Sequence, residues 1–223
     1  MKSNYYLGLA SAILLGFVSS VGASGPTVVP LGTAAPPSTL GGFSMTPVGA
    51  DPSPLDSMVT SVGPITFNQE VRHDQVDGSL WGTWSHGYAG NVYDTGSSVD
   101  PTSLTMTMGG EVSAVYFYTE PVNFDDFTFT ATTADGTFLT QTVNGNGGAS
   151  GFGFYATGSD YITSVTVKGT DAAGFAIGEF GLNRTSSVPE AGNTLVYAFL
   201  GLLGLFGWQA CFPGRQDEAT VSN

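Results

Sequence analysis

The chain has 223 residues, 41% of them hydrophobic, which is enough for one ordinary core once its two apolar ends are set aside. Five Lys and Arg against 18 Asp and Glu give a formal net charge of -13, a sign that excludes the phosphate backbone of nucleic acid as a partner. The single cysteine, Cys211, excludes an internal disulfide and a thiolate metal site.

Residues 1–23 read as a signal peptide. Lys2 supplies a positive start, Tyr5 to Val18 form a short apolar run, and Val21 and Ala23 are small residues at the two places a signal peptidase reads. Cleavage is expected between Ala23 and Ser24, so the chain is expected to be exported and signal peptidase is its first partner. Residues 24–64 are rich in Pro, Gly, Ser and Thr, as in Ala35-Pro36-Pro37 and Asp51-Pro52-Ser53-Pro54. Proline lacks a backbone donor, so this stretch is expected to be linker or edge loop, with Phe43 to Pro47 able to pack on the domain.

From 65 to 184 the pattern changes to short alternating runs. Strands are predicted over Ile65–Val71, Leu80–Trp84, Leu104–Met108, Val112–Tyr118, Phe127–Thr133, Phe138–Val143, Gly151–Tyr155, Ile162–Val167 and Phe175–Leu182. In Phe127-Thr128-Phe129-Thr130-Ala131-Thr132 one face is apolar and the other is threonine, the mark of a half-buried antiparallel strand. Asn144-Gly145-Asn146-Gly147-Gly148 and similar runs supply the reversals. The expected fold is an all-β, antiparallel sandwich with jelly-roll-like topology, and a closed barrel is the second choice.

Chemistry-bearing residues are sparse. His86 has Ser85 beside it and Asp94 downstream, but no nucleophile elbow of the G-x-S-x-G kind accompanies them. No catalytic residue is therefore assigned. Glu120, Asp125 and Asp126 are the nearest thing to the paired carboxylates of a glycosidase, in a chain where acidic residues abound at strand ends. No cofactor is expected beyond a structural Ca2+, for which Asp94, Asp125 and Asp126 are the candidate ligands. Trp81, Trp84, Tyr88 and Tyr93, with Tyr116 and Tyr118, are candidate glycan contacts, because an aromatic face packs on a sugar ring at little entropic cost.

Residues 185–223 end the chain with Val188-Pro189-Glu190-Ala191-Gly192-Asn193-Thr194, then an uncharged run to Phe212 and Arg215. A helix over about 194–212 is long enough to span a bilayer, which makes the membrane a partner, and Asn193 or Thr194 can cap it. Val188-Pro189-Glu190 ahead of a Leu/Gly-rich span resembles the PEP-CTERM class of sorting tails, closest to its Val-Pro-Asp-Ser-Gly variant. That resemblance implies Gram-negative bacteria that make extracellular polysaccharide. It also implies an exosortase-type transpeptidase that reads the tripeptide and releases the chain to the cell surface or matrix. Ala191 stands where the commoner form has Pro, and the usual Arg cluster is reduced to Arg215 ahead of Asp217 and Glu218. Trp84 to Tyr93, Val115 to Pro121, Gly151 to Tyr155 and Phe175 to Gly181 resemble the body of bacterial proteins that often carry such a tail. The implied function is a non-enzymatic surface or matrix protein. The alternative is a carbohydrate-binding module for the producer's own polysaccharide, and a hydrolase ranks third.

Overall fold

The computed structural model describes residues 25–48, 55–60, 63–77 and 81–184. The signal cleavage residues Val21, Ala23 and Ser24 and the sorting residues Val188, Pro189 and Glu190 lie outside the described residues. Among the described residues no helix is long and apolar enough to cross a membrane.

The strands, in chain order, are β1 (Thr27–Gly32), β2 (Thr39–Leu40), β3 (Phe43–Ser44), β4 (Thr46–Val48), β5 (Leu55–Thr60), β6 (Gly63–Gln75) and β7 (Asn91–Asp94). They continue with β8 (Ser103–Val112), β9 (Ala114–Pro121), β10 (Asp126–Thr133), β11 (Phe138–Asn144), β12 (Ser150–Tyr155), β13 (Ile162–Gly169) and β14 (Phe175–Asn183). The first sheet runs β1-β12-β9-β14-β7, and the second runs β8-β13-β10-β11. Every ladder between these strands is antiparallel. From β7 to β14 the chain alternates between sheets, with one hairpin, β10 to β11, inside the second sheet. That connectivity is the one a jelly roll has. Strand β6 belongs to both sheets, because Ile65 to Phe67 pair with β8 while Arg72 to Gln75 pair with β7.

The alternation read from sequence decides which side chains go inward. Phe129, Ala131, Leu104, Met106, Val165 and Val167 of the second sheet meet Val115, Phe117, Phe152, Phe154 and Ile177 of the first. Thr128, Thr130 and Thr132 of β10 face outward, and Thr130 and Thr140 share a hydrogen bond of 2.9 Å across to β11. Strand β9 breaks the pattern, since all eight of its residues are buried. A strand buried on both faces means that the first sheet is covered outside as well as inside.

The cover comes from the segment expected to be linker, so that boundary is corrected. β1 pairs with β12, β4 pairs with β14, and Leu40 and Met45 pack on Ala114, Tyr116 and Tyr118. The prolines place this segment on the rim rather than unfolding it: Pro30 lies in β1, the edge strand of the first sheet, where a missing donor costs least. The predicted strand over Leu80–Trp84 is also corrected. Within it Trp81 makes a single bridge to Val76, and the chain then enters a 3-10 turn at Ser85–Gly87. Strand β7, four residues long, was too short for its alternation to stand out.

Candidate functional site

The outer face of the first sheet collects most of the candidate aromatic and charged residues. Tyr116, Tyr118 and Glu120 project from β9 on the face opposite Val115 and Phe117. The loop 81–88 lies across this face and brings Trp81, Trp84, His86 and Tyr88 to it. Between the loop, the sheet and the proline-rich arm runs a groove of about 510 Å³, lined by Pro36, Pro37, Met45, Tyr88, Tyr116 and Glu179 among others. That volume suits a small ligand or a short oligomer.

Glu179 organises the groove and was not anticipated from the sequence. It sits where the β14 register slips between Gly178 and Gly181, and its φ is 51°. Trp84 Nε1 donates to its Oε2 at 3.1 Å, and His86 Nε2 lies 2.8 Å from both carboxylate oxygens. His86 has a φ of 44°, and among the described residues these two are the non-glycine positions at positive φ. A left-handed side-chain residue costs about 1–2 kcal/mol, so both bends are held in place by their surroundings. The two strained residues grip one another, as backbone strain at a ligand site does. A signal was present in sequence: a carboxylate between glycines in an otherwise apolar strand, Ile177-Gly178-Glu179-Phe180-Gly181.

The tyrosines are held as neutral donors. Burial, reinforced by the Glu179 charge, pushes the Tyr88 and Tyr116 phenols up to about 12, and the same causes raise Tyr118 further. Tyr88 donates to the Asn91 carbonyl at 2.9 Å and Tyr118 to the Ala34 carbonyl at 2.6 Å, which ties the arm to the sheet. Gly181 makes room for the Tyr116 ring, because a Cβ there would fall 2.1 Å from a ring carbon. Gly181→Ala should therefore drive Tyr116 toward the groove and cost roughly 1–3 kcal/mol. An unchanged urea midpoint would show that the ring has space to move.

A second feature lies farther along the same face. A depression of about 200 Å³ is lined by Arg72, Trp81, Thr83, Asp94, Glu120 and Phe124. Arg72 contacts Asp74 at 2.8 Å and Asp94 at 2.6 Å, and its pairing with Asp74 raises the guanidinium pKa. Burial raises the Asp94 carboxyl, against the pull of the Gly96 amide and Arg72. Glu120 is 1% exposed and carries the buried carboxylate of the depression. Trp81 Nε1 donates to its Oε2 at 3.0 Å and the Thr83 hydroxyl donates to its Oε1. Burial outweighs these two donors and pushes Glu120 up to about 7.

The candidates from sequence divide accordingly. Trp84 and Tyr88 come together beside Glu179, with ring centroids 5.8 Å apart. Trp81 is 8% exposed and spends its N–H on Glu120, which corrects its reading as a sugar platform. Tyr93 is corrected too: it points into the inter-sheet core, edge-on to Phe67 at 5.2 Å. Asp94 is neutralised by Arg72, while Asp125 accepts from the Asp126 amide and Asp126 from Asn144. Among the described residues no group of three His, Cys, Asp or Glu side chains is placed to hold a metal ion.

Ser85, His86 and Glu179 form a serine-histidine-carboxylate string, with Ser85 Oγ 2.9 Å from Nδ1. The acid is Glu179, not Asp94. Ser85 is 4% exposed, and Nδ1 also faces the Thr33 carbonyl at 3.3 Å. With Nε2 donating to Glu179, Nδ1 accepts from the Ser85 hydroxyl, which is buried away from any substrate in the groove. The string reads as a clamp joining arm, loop and sheet.

No family model matches the chain, and no curated protein matches it. Among solved structures it is similar to family 29 carbohydrate-binding modules. One from Piromyces equi has 7% identity and a TM-score of 0.30, over 70% of this chain and 89% of that one. A variant of a second module, complexed with mannohexaose, has 9% identity and a TM-score of 0.30, over 63% of this chain and 91% of that one. At that score the likeness carries no argument about the ligand of this chain.

Proposed function

We propose that this is an exported, non-enzymatic surface protein whose β-sandwich binds extracellular polysaccharide in the groove between its proline-rich arm and its first sheet. The observation that carries the reading is the half-buried Tyr88 ring lining one groove with the strained Glu179 carboxylate, over a floor made by the buried Tyr116. Aromatic faces supply area to the C–H faces of sugar rings, and a carboxylate accepts from ring hydroxyls. Export and retention rest on the sequence order of signal, domain, Val188-Pro189-Glu190 and apolar tail, which an exosortase-type enzyme would process.

A panel of neutral and acidic glycans tests the binding. Retention of at least one class is expected, weakened roughly tenfold in Tyr88→Ala with the fold intact. Silence across the panel would sink the glycan reading. Mass spectrometry of the mature protein tests the sorting. Termini at Ser24 and near Glu190 are expected, whereas a mature chain that keeps Arg215 would be a permanent anchor.

A further inference from the structure

We propose that Glu120 is a positioning residue that latches the loop 81–88 by its proton: the protonated carboxyl fastens the loop and the ionised one releases it, so the groove is best formed on the acidic side of neutrality. This rests on the groove being the binding site, and it adds how that site is regulated.

The geometry places one buried carboxyl under the start of the loop that builds the groove. Both oxygens of Glu120 are engaged by that loop, through Trp81 Nε1 and the Thr83 hydroxyl. The same loop runs on to Trp84 and His86, which hold Glu179, and to Tyr88, which lines the groove. The Thr83 hydroxyl also lies 3.2 Å from the Gly145 carbonyl, which can accept from it. A protonated Glu120 satisfies every group at once: it accepts from Trp81, donates to Thr83, and leaves Thr83 free to donate to Gly145.

An ionised Glu120 keeps two donors but must hold its charge on a side chain that is only 1% exposed. Among the described residues no cation compensates it. Arg72 of β6 lines the same depression but is committed to Asp74 and to Asp94 of β7. On the loop His86 faces Glu179 of β14, and beyond β14 Asp171 accepts from Asn123. Opening the loop admits water to the carboxylate, so ionisation and opening favour one another. The rise of the Glu120 pKa from 4.5 to about 7 bounds the coupling, since the open form titrates near the ordinary value. Across that window the closed-to-open ratio falls by at most on the order of 100-fold.

Hydrogen exchange of amides 81–88 in the intact protein tests the latch without any ligand. Protection, corrected for intrinsic rates, is expected to fall by at least tenfold between pH 5.5 and pH 8.5. It should stay flat in Glu120→Gln, whose amide reproduces the protonated pattern. Equal protection at both pH values in the wild type, or the same pH response in Glu120→Gln, would overturn the proposal. Any glycan retained by the protein should bind more tightly at pH 5.5. A pH-dependent loop with no glycan bound at either pH would uphold the latch and discard the glycan reading. A bound glycan over a pH-invariant loop would do the reverse.

Discussion

Glu120→Gln is expected to make the protein more stable at pH 8 by about 3 kcal/mol while leaving its stability near pH 4 almost unchanged. The folded-state pKa of Glu120 lies above its unfolded value, pushed from 4.5 to about 7 by burial. The folded protein therefore binds the proton more tightly than the unfolded chain does. The stabilisation is fully present below about pH 4.5 and is lost as pH rises to about 7. Asp94, raised by burial as well, adds a slope of the same sign. Glutamine cannot ionise, so the variant loses the Glu120 share of the slope. Urea denaturation of both forms at pH 4, 6 and 8 measures it, and parallel curves would show that the fold does not raise the Glu120 pKa.

Phe117→Ala is expected to destabilise the protein by about 3–5 kcal/mol, a large part of the 5–15 kcal/mol that holds a typical domain together. Phe117 is fully buried at the centre of the inter-sheet core, nearly parallel to Phe152 at 5.7 Å and to Phe154 at 6.4 Å. Its neighbours are fixed by backbone ladders on both sides, through β12 and β14, so they have little freedom to close the cavity. A stiff lining keeps the void open and brings the cost toward the upper end of the range. The expected signature is a lower urea midpoint at an unchanged slope. A loss below about 1 kcal/mol would mean that the sandwich repacks around the missing ring.

The sandwich was legible because period-two alternation survives in most strands of the domain, with Phe127 to Thr132 the clearest case. The arm was not, because proline and glycine were read as linker although β1 and β4 pair at the margins of the first sheet, where a missing donor is tolerated. At the site, Trp84, Tyr88 and Glu120 were visible as residue types that carry chemistry. Tyr93 was grouped with them because its neighbours in sequence hid that it faces inward beside Phe67. Glu179 lies 93 residues from His86, and no local pattern announces a contact at that separation. Its place depends on a slip in the β14 register, which is decided by the tertiary fold.

Strand β6 gives the domain one more property. Its first half is laced into one ladder and its second half into the other, without a break in the chain. Two sheets that share a covalent spine cannot come apart in sequence, because fraying one pulls the pairing of the other out of line. The sandwich should therefore melt as one cooperative unit, with the amides at the middle of β6 among the last to exchange. A pull on the chain should therefore meet one large barrier instead of two small ones.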